Sequence, residues 1–219
     1  MTLQLFAHPF SSYCQKVLIA LYENDTPFTF RMLAPEEDET GAEFAKLSPM
    51  QRMPLLVDKG RSVFESSIVI EYLELYHPGP VRLIPLDGDA ALEVRKMDRV
   101  FDNYIMTPMQ TIVFDFIRAP ELRDAHGVAR ARSMLDTAYA WLDGVMAGRK
   151  WAAGDTFSLA DCAAAPSLFY ADWVHPIPEH LANLRAYRAR LLARPSFARA
   201  VDEGRPYRSY FPPGAPDRD

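Results

Sequence analysis

Cysteine is scarce in this chain of 219 residues: Cys14 and Cys162 are the only two. They are too few for a disulfide framework, and a cytosolic protein keeps them reduced. No apolar stretch reaches the roughly 20 residues that a membrane span requires. The opening MTLQLFAHPF has no basic region leading into a secretory apolar segment, so a cytoplasmic protein is expected. A basic stripe is missing as well. The net charge is -5, and the arginines from Arg185 to Arg208 are interrupted by Asp202 and Glu203 and by Pro195 and Pro206. That run reads as a solvated helical face, and neither nucleic acid nor membrane is expected as a partner. The five histidines, His8, His77, His126, His175 and His180, show no paired ligand spacing, and no cysteine or carboxylate cluster supports them, so no metal is expected. No Gly-x-Ser-x-Gly elbow surrounds a serine and no phosphate-loop glycine spacing occurs, which removes the triad-hydrolase and nucleotide readings. Repeats and low-complexity segments are absent too.

What is present suits a compact pair of unequal domains: 49% hydrophobic and 24% charged residues supply a core. Residues 2–7 alternate as a strand, with Leu3, Leu5 and Ala7 on one face. From Ser12 to about Glu23 the period becomes helical, Cys14, Val17, Leu18 and Leu21 forming one buried stripe. A second strand at about Phe28–Leu33 makes a parallel pair with a crossover helix. Acidic loop residues Pro35–Thr40 lead to a short helix near Glu43–Leu47. A turn through Pro54 feeds a strand, and Lys59-Gly60 joins it to Arg61–Phe64 as a hairpin. A helix from about Ser66 to His77 buries Val69, Tyr72, Leu73 and Tyr76. Residues 1–77 thus form a first domain, 78–89 a linker, and 90–219 a second domain that is all helical, with spans at about Ala90–Arg118, Arg123–Met146, Ser158–Ala171, Leu181–Ala193 and Ser196–Glu203. The tail Tyr207–Asp219 reads as extended.

Chemistry-bearing segments sit at the junctions of these elements. Ser11-Ser12-Tyr13-Cys14-Gln15-Lys16-Val17 spans the first strand-to-helix turn. Gln51-Arg52-Met53-Pro54 enters the hairpin, and Glu65-Ser66-Ser67-Ile68 opens the third helix. Gly154–Asp161 carries a capping box of Ser158 and Asp161 with Phe157 and Cys162 as its staple. Their order and spacing resemble the glutathione transferase family across the chain to about residue 204. The resemblance implies an α/β thioredoxin-like N-terminal domain plus an all-α C-terminal domain. It also implies glutathione as co-substrate, a small electrophile as second substrate, and a homodimer.

The resemblance assigns roles residue by residue. The first segment looks like the Cys-Pro-Tyr-Cys motif of glutaredoxins with Ser11 in place of the first cysteine. In serine-type transferases such as the zeta and theta classes, a hydroxyl at this turn hydrogen-bonds the glutathione sulfur; Ser11 aligns with it, and Ser12 is the alternative. Tyrosine-type classes place their residue at the end of the first strand, where this chain has Phe6 and Ala7. Met53-Pro54 matches a Val-Pro pair whose cis proline turns the preceding backbone toward the cysteinyl part of glutathione. Gln51 and Arg52 take the glycyl end. Glu65 pairs with the γ-glutamyl ammonium, while Ser66 caps the helix whose N-terminus attracts the carboxylate.

A thiol of pKa near 8.5 is only a few per cent ionised at neutral pH, so the task at such a site is to favour the thiolate. Cys14, on the stripe with Val17 and Leu21, reads as core rather than nucleophile. Phe10, Tyr104, Met106, Pro108, Phe114 and Trp173 are the candidates for the second-substrate pocket, with Met109 and Phe116 beside them. The resulting expectation is a detoxifying glutathione transferase. A glutathione-dependent isomerase or peroxidase on the same scaffold, and a noncatalytic binding protein, are the alternatives.

Overall fold

A computed structural model describes residues 3–219. Thr2, placed at the start of the first strand by the sequence, lies outside them. Strand β1 (Leu3–Ala7) leads into helix α1 (Ser12–Glu23), and β2 (Phe28–Met32) returns parallel to β1. Helix α2 (Asp38–Leu47) follows, then the antiparallel hairpin of β3 (Leu55–Asp58) and β4 (Arg61–Phe64). The four-stranded sheet runs β2-β1-β3-β4, β3 being antiparallel to β1. Alternation along β1 sorts its side chains as expected. Leu3, Leu5 and Ala7 join the main core on the α1 face, whereas Phe6 joins Phe44 and Leu55 in a small cluster under α2.

Helix α2 starts at Asp38, inside what the sequence marks as an acidic loop. Acidic residues around a helix start complement the positive end of its dipole, so the charge run extends the helix rather than preceding it. Helix α3 (Ser66–Tyr76) buries Val69, Tyr72 and Leu73, but Tyr76 is exposed. In this last turn the ring lies tilted against Tyr72 at 4.5 Å, with the Arg61 guanidinium over both rings, instead of entering the core.

The segment after α3 is no free linker. Leu83 and Ile84 are buried, Asn24 brackets Val81 through both its backbone groups, and Leu159 N–H donates to the Leu83 carbonyl at 2.9 Å. Helix α4 (Gly88–Val100) opens with Asp87 capping Ala90 N–H. A π-helical stretch, Phe101–Met106, then precedes α5 (Thr107–Phe116). The single long helix expected over Ala90–Arg118 is therefore interrupted. Pro108 cannot donate to a carbonyl one turn back, and Thr107 N–H reaches the Asp102 carbonyl, five residues away.

Helices α6 (Ala125–Met146), α7 (Leu159–Val174), α8 (Ala182–Leu192) and α9 (Pro195–Gly204) complete the second domain. The capping box at α7 forms: Asp161 Oδ2 accepts from Ser158 N–H at 2.9 Å and from Ser158 Oγ at 3.0 Å. The tail departs from the extended expectation. Arg205–Tyr210 forms 3-10 turns, and buried Phe211 packs against Trp173 at 5.1 Å and Tyr170 at 6.0 Å. Among the described residues no helix is long and apolar enough to cross a membrane.

Candidate active site

The turn carrying Ser11 is fixed from below and from the side. Ser11 N–H donates to the His8 carbonyl at 3.0 Å, and Gln15 N–H to the Ser11 carbonyl at 2.8 Å, so α1 begins here. Gln15 Nε2 donates to the Pro9 carbonyl, and Tyr170 of α7 donates its hydroxyl to the Phe10 carbonyl. Gly204, at the end of α9, comes so close that an added Cβ would sit 3.2 Å from Gln15 Nε2 and 3.3 Å from the Pro9 oxygen. Both domains thus hold the loop. Ser11 occupies the N-cap position with φ -80° and ψ 126°, yet its side chain makes no cap bond. The first amides of α1 therefore lack a side-chain cap, while the Ser11 hydroxyl lies within hydrogen-bonding reach of the Cys14 thiol.

Two cavities meet at this turn. The larger, about 700 Å³, is lined by Ser11 and Tyr13, by Gln51, Arg52, Met53 and Pro54, by Glu65 and Ser66, and by Arg99 and Asp102 from the helical domain. All six residues that the resemblance assigns to glutathione share this one cleft. The Met53-Pro54 bond is cis. Ser66 is the first residue of α3 rather than its cap; the cap position is Glu65, with φ 69°, and it makes no side-chain cap bond. The helix N-terminus therefore faces the cleft without an internal acceptor.

The smaller cavity, about 250 Å³, is lined by Phe10, Ser11, Ser12, Tyr13, Gln110, Phe114, Tyr170 and the tail residues Tyr210 to Pro212, among others. Of the candidates for a second-substrate pocket, Phe10 and Phe114 are here, with Met109. The others are not. Tyr104 lines a separate cavity of about 550 Å³ beside Trp141, on another face. Met106 and Pro108 are buried in the core, and Phe116 is exposed. Trp173 lies behind Phe10, in a crevice of about 10 Å³. The helix candidates point in different directions around the segment 101–116, so only those on the face toward Ser11, Met109 and Phe114, reach the cavity.

Beneath the larger cleft lies a group of charges absent from the sequence reading. Lys16 is 1% exposed, and its Nζ lies 2.6 Å from Asp98, 2.8 Å from Asp102 and 2.9 Å from Ser67 Oγ. Ser67 donates to Asp98 at 2.8 Å, and Arg99 reaches both aspartates from the solvent side. Burial raises the Asp102 carboxyl above its ordinary value, against the pull of Lys16 and Arg99. The signal was there to find: a lysine within the apolar helix 12–23, and two aspartates four residues apart on an amphipathic one. Burial also pushes the Cys14 thiol up to about 11, which leaves it neutral.

The N-terminal region, residues 5–81, matches the family model described as glutathione S-transferase, N-terminal domain, and residues 105–195 match glutathione S-transferase, C-terminal domain. The chain belongs to the glutathione S-transferase family. It has that family's thioredoxin-like domain followed by a helical one, and glutathione transfer with glutathione as co-substrate is its activity class. A glutathione S-transferase from Methylobacterium radiotolerans, solved in complex with glutathione sulfonate, is 32% identical, with a TM-score of 0.79 over 92% of this chain and 95% of that one. Curated relatives include a probable maleylacetoacetate isomerase from Vibrio cholerae, 27% identical over 94% of this chain and 98% of its own length. A stringent starvation protein A homolog from Haemophilus ducreyi is 26% identical over 93% and 92%.

Proposed function

We propose that this transferase is of the serine type: Ser11 stabilises the glutathione thiolate, which attacks a small apolar electrophile in the smaller cavity. The observation that carries the reading is the placement of Ser11, which borders both cavities, whereas Ser12 borders only the smaller. A sulfur lying over the start of α1 would meet the Ser11 hydroxyl and the positive end of the helix together. In the larger cleft, Glu65 takes the γ-glutamyl ammonium and the α3 N-terminus its carboxylate. The backbone of Met53, ahead of Pro54, takes the cysteinyl part, and Gln51 and Arg52 the glycyl end.

The smaller cavity favours conjugation over isomerisation. None of the side chains lining it is charged. Maleylacetoacetate carries two carboxylates, which would find no counter-charge there, whereas a neutral electrophile loses nothing. We further propose a homodimer built on the apolar cavity at Tyr104 and Trp141, both of which are about half exposed. A detoxifying role in the cytoplasm suits an enzyme whose two thiols are free and buried.

The test is the pH dependence of conjugation. A hydrogen bond to a charged group contributes about 1.5 kcal/mol, or roughly one pKa unit, so Ser11→Ala should raise the apparent thiol pKa of the complex by about one unit. Ser12→Ala should leave it in place. Identical profiles for the wild type and both variants would remove Ser11 from the mechanism.

A further inference from the structure

The arginine run that the sequence marks as a solvated face is not wholly solvated. Arg188 of α8 keeps only 12% of its side chain exposed, yet it takes part in none of the hydrogen bonds among the described residues. Its Nε and Nη2 are buried without an acceptor, and the group stands 5.9 Å over the Phe169 ring. Arg194, 23% exposed, spends the same two nitrogens on Glu23 at 2.6 and 2.5 Å. Asp172 Oδ2 lies 3.3 Å from Arg188 Nη2, but Arg218 already donates to it, while Oδ1 accepts from Ile177 N–H at 2.8 Å. Burial works against the charge on Arg188, Asp172 works for it, and Arg218 opposes it again. A buried cation with five donors and no acceptor is costly, so an acceptor is called for.

Nη1, the remaining nitrogen, opens on a cavity of about 510 Å³ that Arg185 and Arg218 also line, with Ile177 and Leu192 among its apolar walls. Arg185 spends one nitrogen on the Ile177 carbonyl at 3.2 Å. The second carboxylate of the lining, Asp219, is committed to Arg205 and Arg208. Counting Asp202, which holds Arg205 at 2.8 Å, five arginines meet three aspartates here, in a chain whose net charge is -5. The surplus is therefore positive and local. A water molecule at Nη1 would satisfy a donor and leave that charge unopposed, whereas an anion does both. The cavity shares no lining residue with either of the two at Ser11.

We infer that this cavity binds a phosphate group, free or as the monoester of a small apolar molecule, with Arg188 at its floor and Arg185 and Arg218 nearer solvent. Guanidinium donors match phosphate oxygens in charge and geometry. A phosphate near its dianionic form offsets the surplus more fully than a single carboxylate, which would also have to compete with Asp172 and Asp219 for the same groups. The apolar walls give an ester substituent somewhere to lie. Because the guanidinium charge is delocalised, an oxygen at Nη1 compensates the buried Nε and Nη2 as well.

Calorimetric titrations of the whole chain at constant ionic strength and about pH 7.5, where phosphate is mostly dianionic, test this with inorganic phosphate, phenyl phosphate and benzoate. Each is run with and without glutathione. Arg188→Met and Arg185→Gln should each weaken phosphate binding ~10-fold or more, the loss of a charge-assisted hydrogen bond. Arg82→Gln, which removes the same charge outside the cavity, should change the Kd less than about twofold. Arg185 is exposed, so its variant folds even if melting curves show that Arg188→Met does not. Tighter binding of phenyl phosphate identifies a monoester site, and equal binding of the two a site for the free ion. No heat from either phosphate at about 10 mM, equal affinity for benzoate, displacement by glutathione, or an unchanged Kd in Arg185→Gln overturns the assignment. None of these outcomes bears on Ser11, whose variants should bind phosphate as the wild type does.

Discussion

Replacing Lys16 by methionine keeps most of the methylene packing of α1 and deletes one charge. Because Lys16 is 1% and Asp98 2% exposed, water cannot take over the lost interaction. Three acceptors within 3.0 Å of Nζ would lose their shared cation, leaving two carboxylates with only Arg99, whose side chain is 52% exposed. Removing one partner of a buried ion pair costs ~3–5 kcal/mol. In a chain of this size that is a fall in Tm of about 10 °C. The deficit should depend on pH, and its sign follows from Asp102. Burial already holds that carboxyl above its ordinary value, and loss of Lys16 raises it further. A carboxyl whose pKa is higher in the folded than in the unfolded state favours folding when protonated, and that advantage is lost as pH rises through the folded value. Urea titrations of wild type and Lys16→Met at about pH 4.5 and 7.5 should therefore show a small gap at the acid end and the full gap at the other. Adding Asp102→Asn to the Lys16→Met background should recover ~1 kcal/mol or more, since the two residues are in contact. A gap below ~1 kcal/mol at neutral pH, or one of equal size at both pH values, would refute the view that Lys16 compensates buried carboxylates.

Size-exclusion chromatography with light scattering should find the wild type at twice the chain mass, and Trp141→Glu a folded monomer; a wild type that is monomeric at tens of micromolar would dispose of the dimer. Ser158→Ala should cost about 1 kcal/mol as a lost N-cap. Asp161→Ala should cost clearly more, ~3 kcal/mol, because it also accepts from Ala152 N–H and the Tyr187 hydroxyl, both of which would be left buried and unpaired. Neither change should alter the pH profile of conjugation, and equal thermal shifts for the two would show that Asp161 serves only the cap.

The local rules of helix and strand period placed α1 at Ser12–Glu23 and the hairpin at Leu55–Phe64 because those signals are short-range and uninterrupted. The larger cleft was legible for a different reason. Its residues stand at element ends, at Ser11, Met53-Pro54 and Glu65-Ser66, and a parallel pair followed by a hairpin brings those ends together. The smaller cavity was legible only in part: Phe10, Met109 and Phe114 line it, but which face of the segment 101–116 turns toward Ser11 depends on the phase of α5 after the π-turn at Phe101–Met106, and apolarity alone does not give that phase. Lys16 escaped because periodicity sorts residues by polarity, and a lysine facing inward looks like a solvated one until its partners from another domain are in place. The tail was misread because its fold is dictated by Trp173 and Tyr170, far away in the chain, and not by its own proline-rich sequence.

The two sulfurs of the chain sharpen what the start of α1 is for. Cys14 stands one turn inside the helix, fully buried, with a thiol held near 11, so at neutral pH it carries no charge. The first turn of α1 holds no acidic residue, and the Ser11 hydroxyl does not cap it. Lys16, the nearest cation in the same helix, is consumed by Asp98 and Asp102 and adds little field at the surface. The positive end of the helix dipole thus remains uncompensated at the point where Ser11 lines both cavities. A thiolate generated by the protein itself would have to be buried and unpaired. In the serine-type reading proposed above, one delivered by a ligand from the larger cleft would meet the Ser11 hydroxyl, uncapped amides and a path to an apolar second cavity, so the proposal assigns this site the ionisation of a sulfur that the protein does not own.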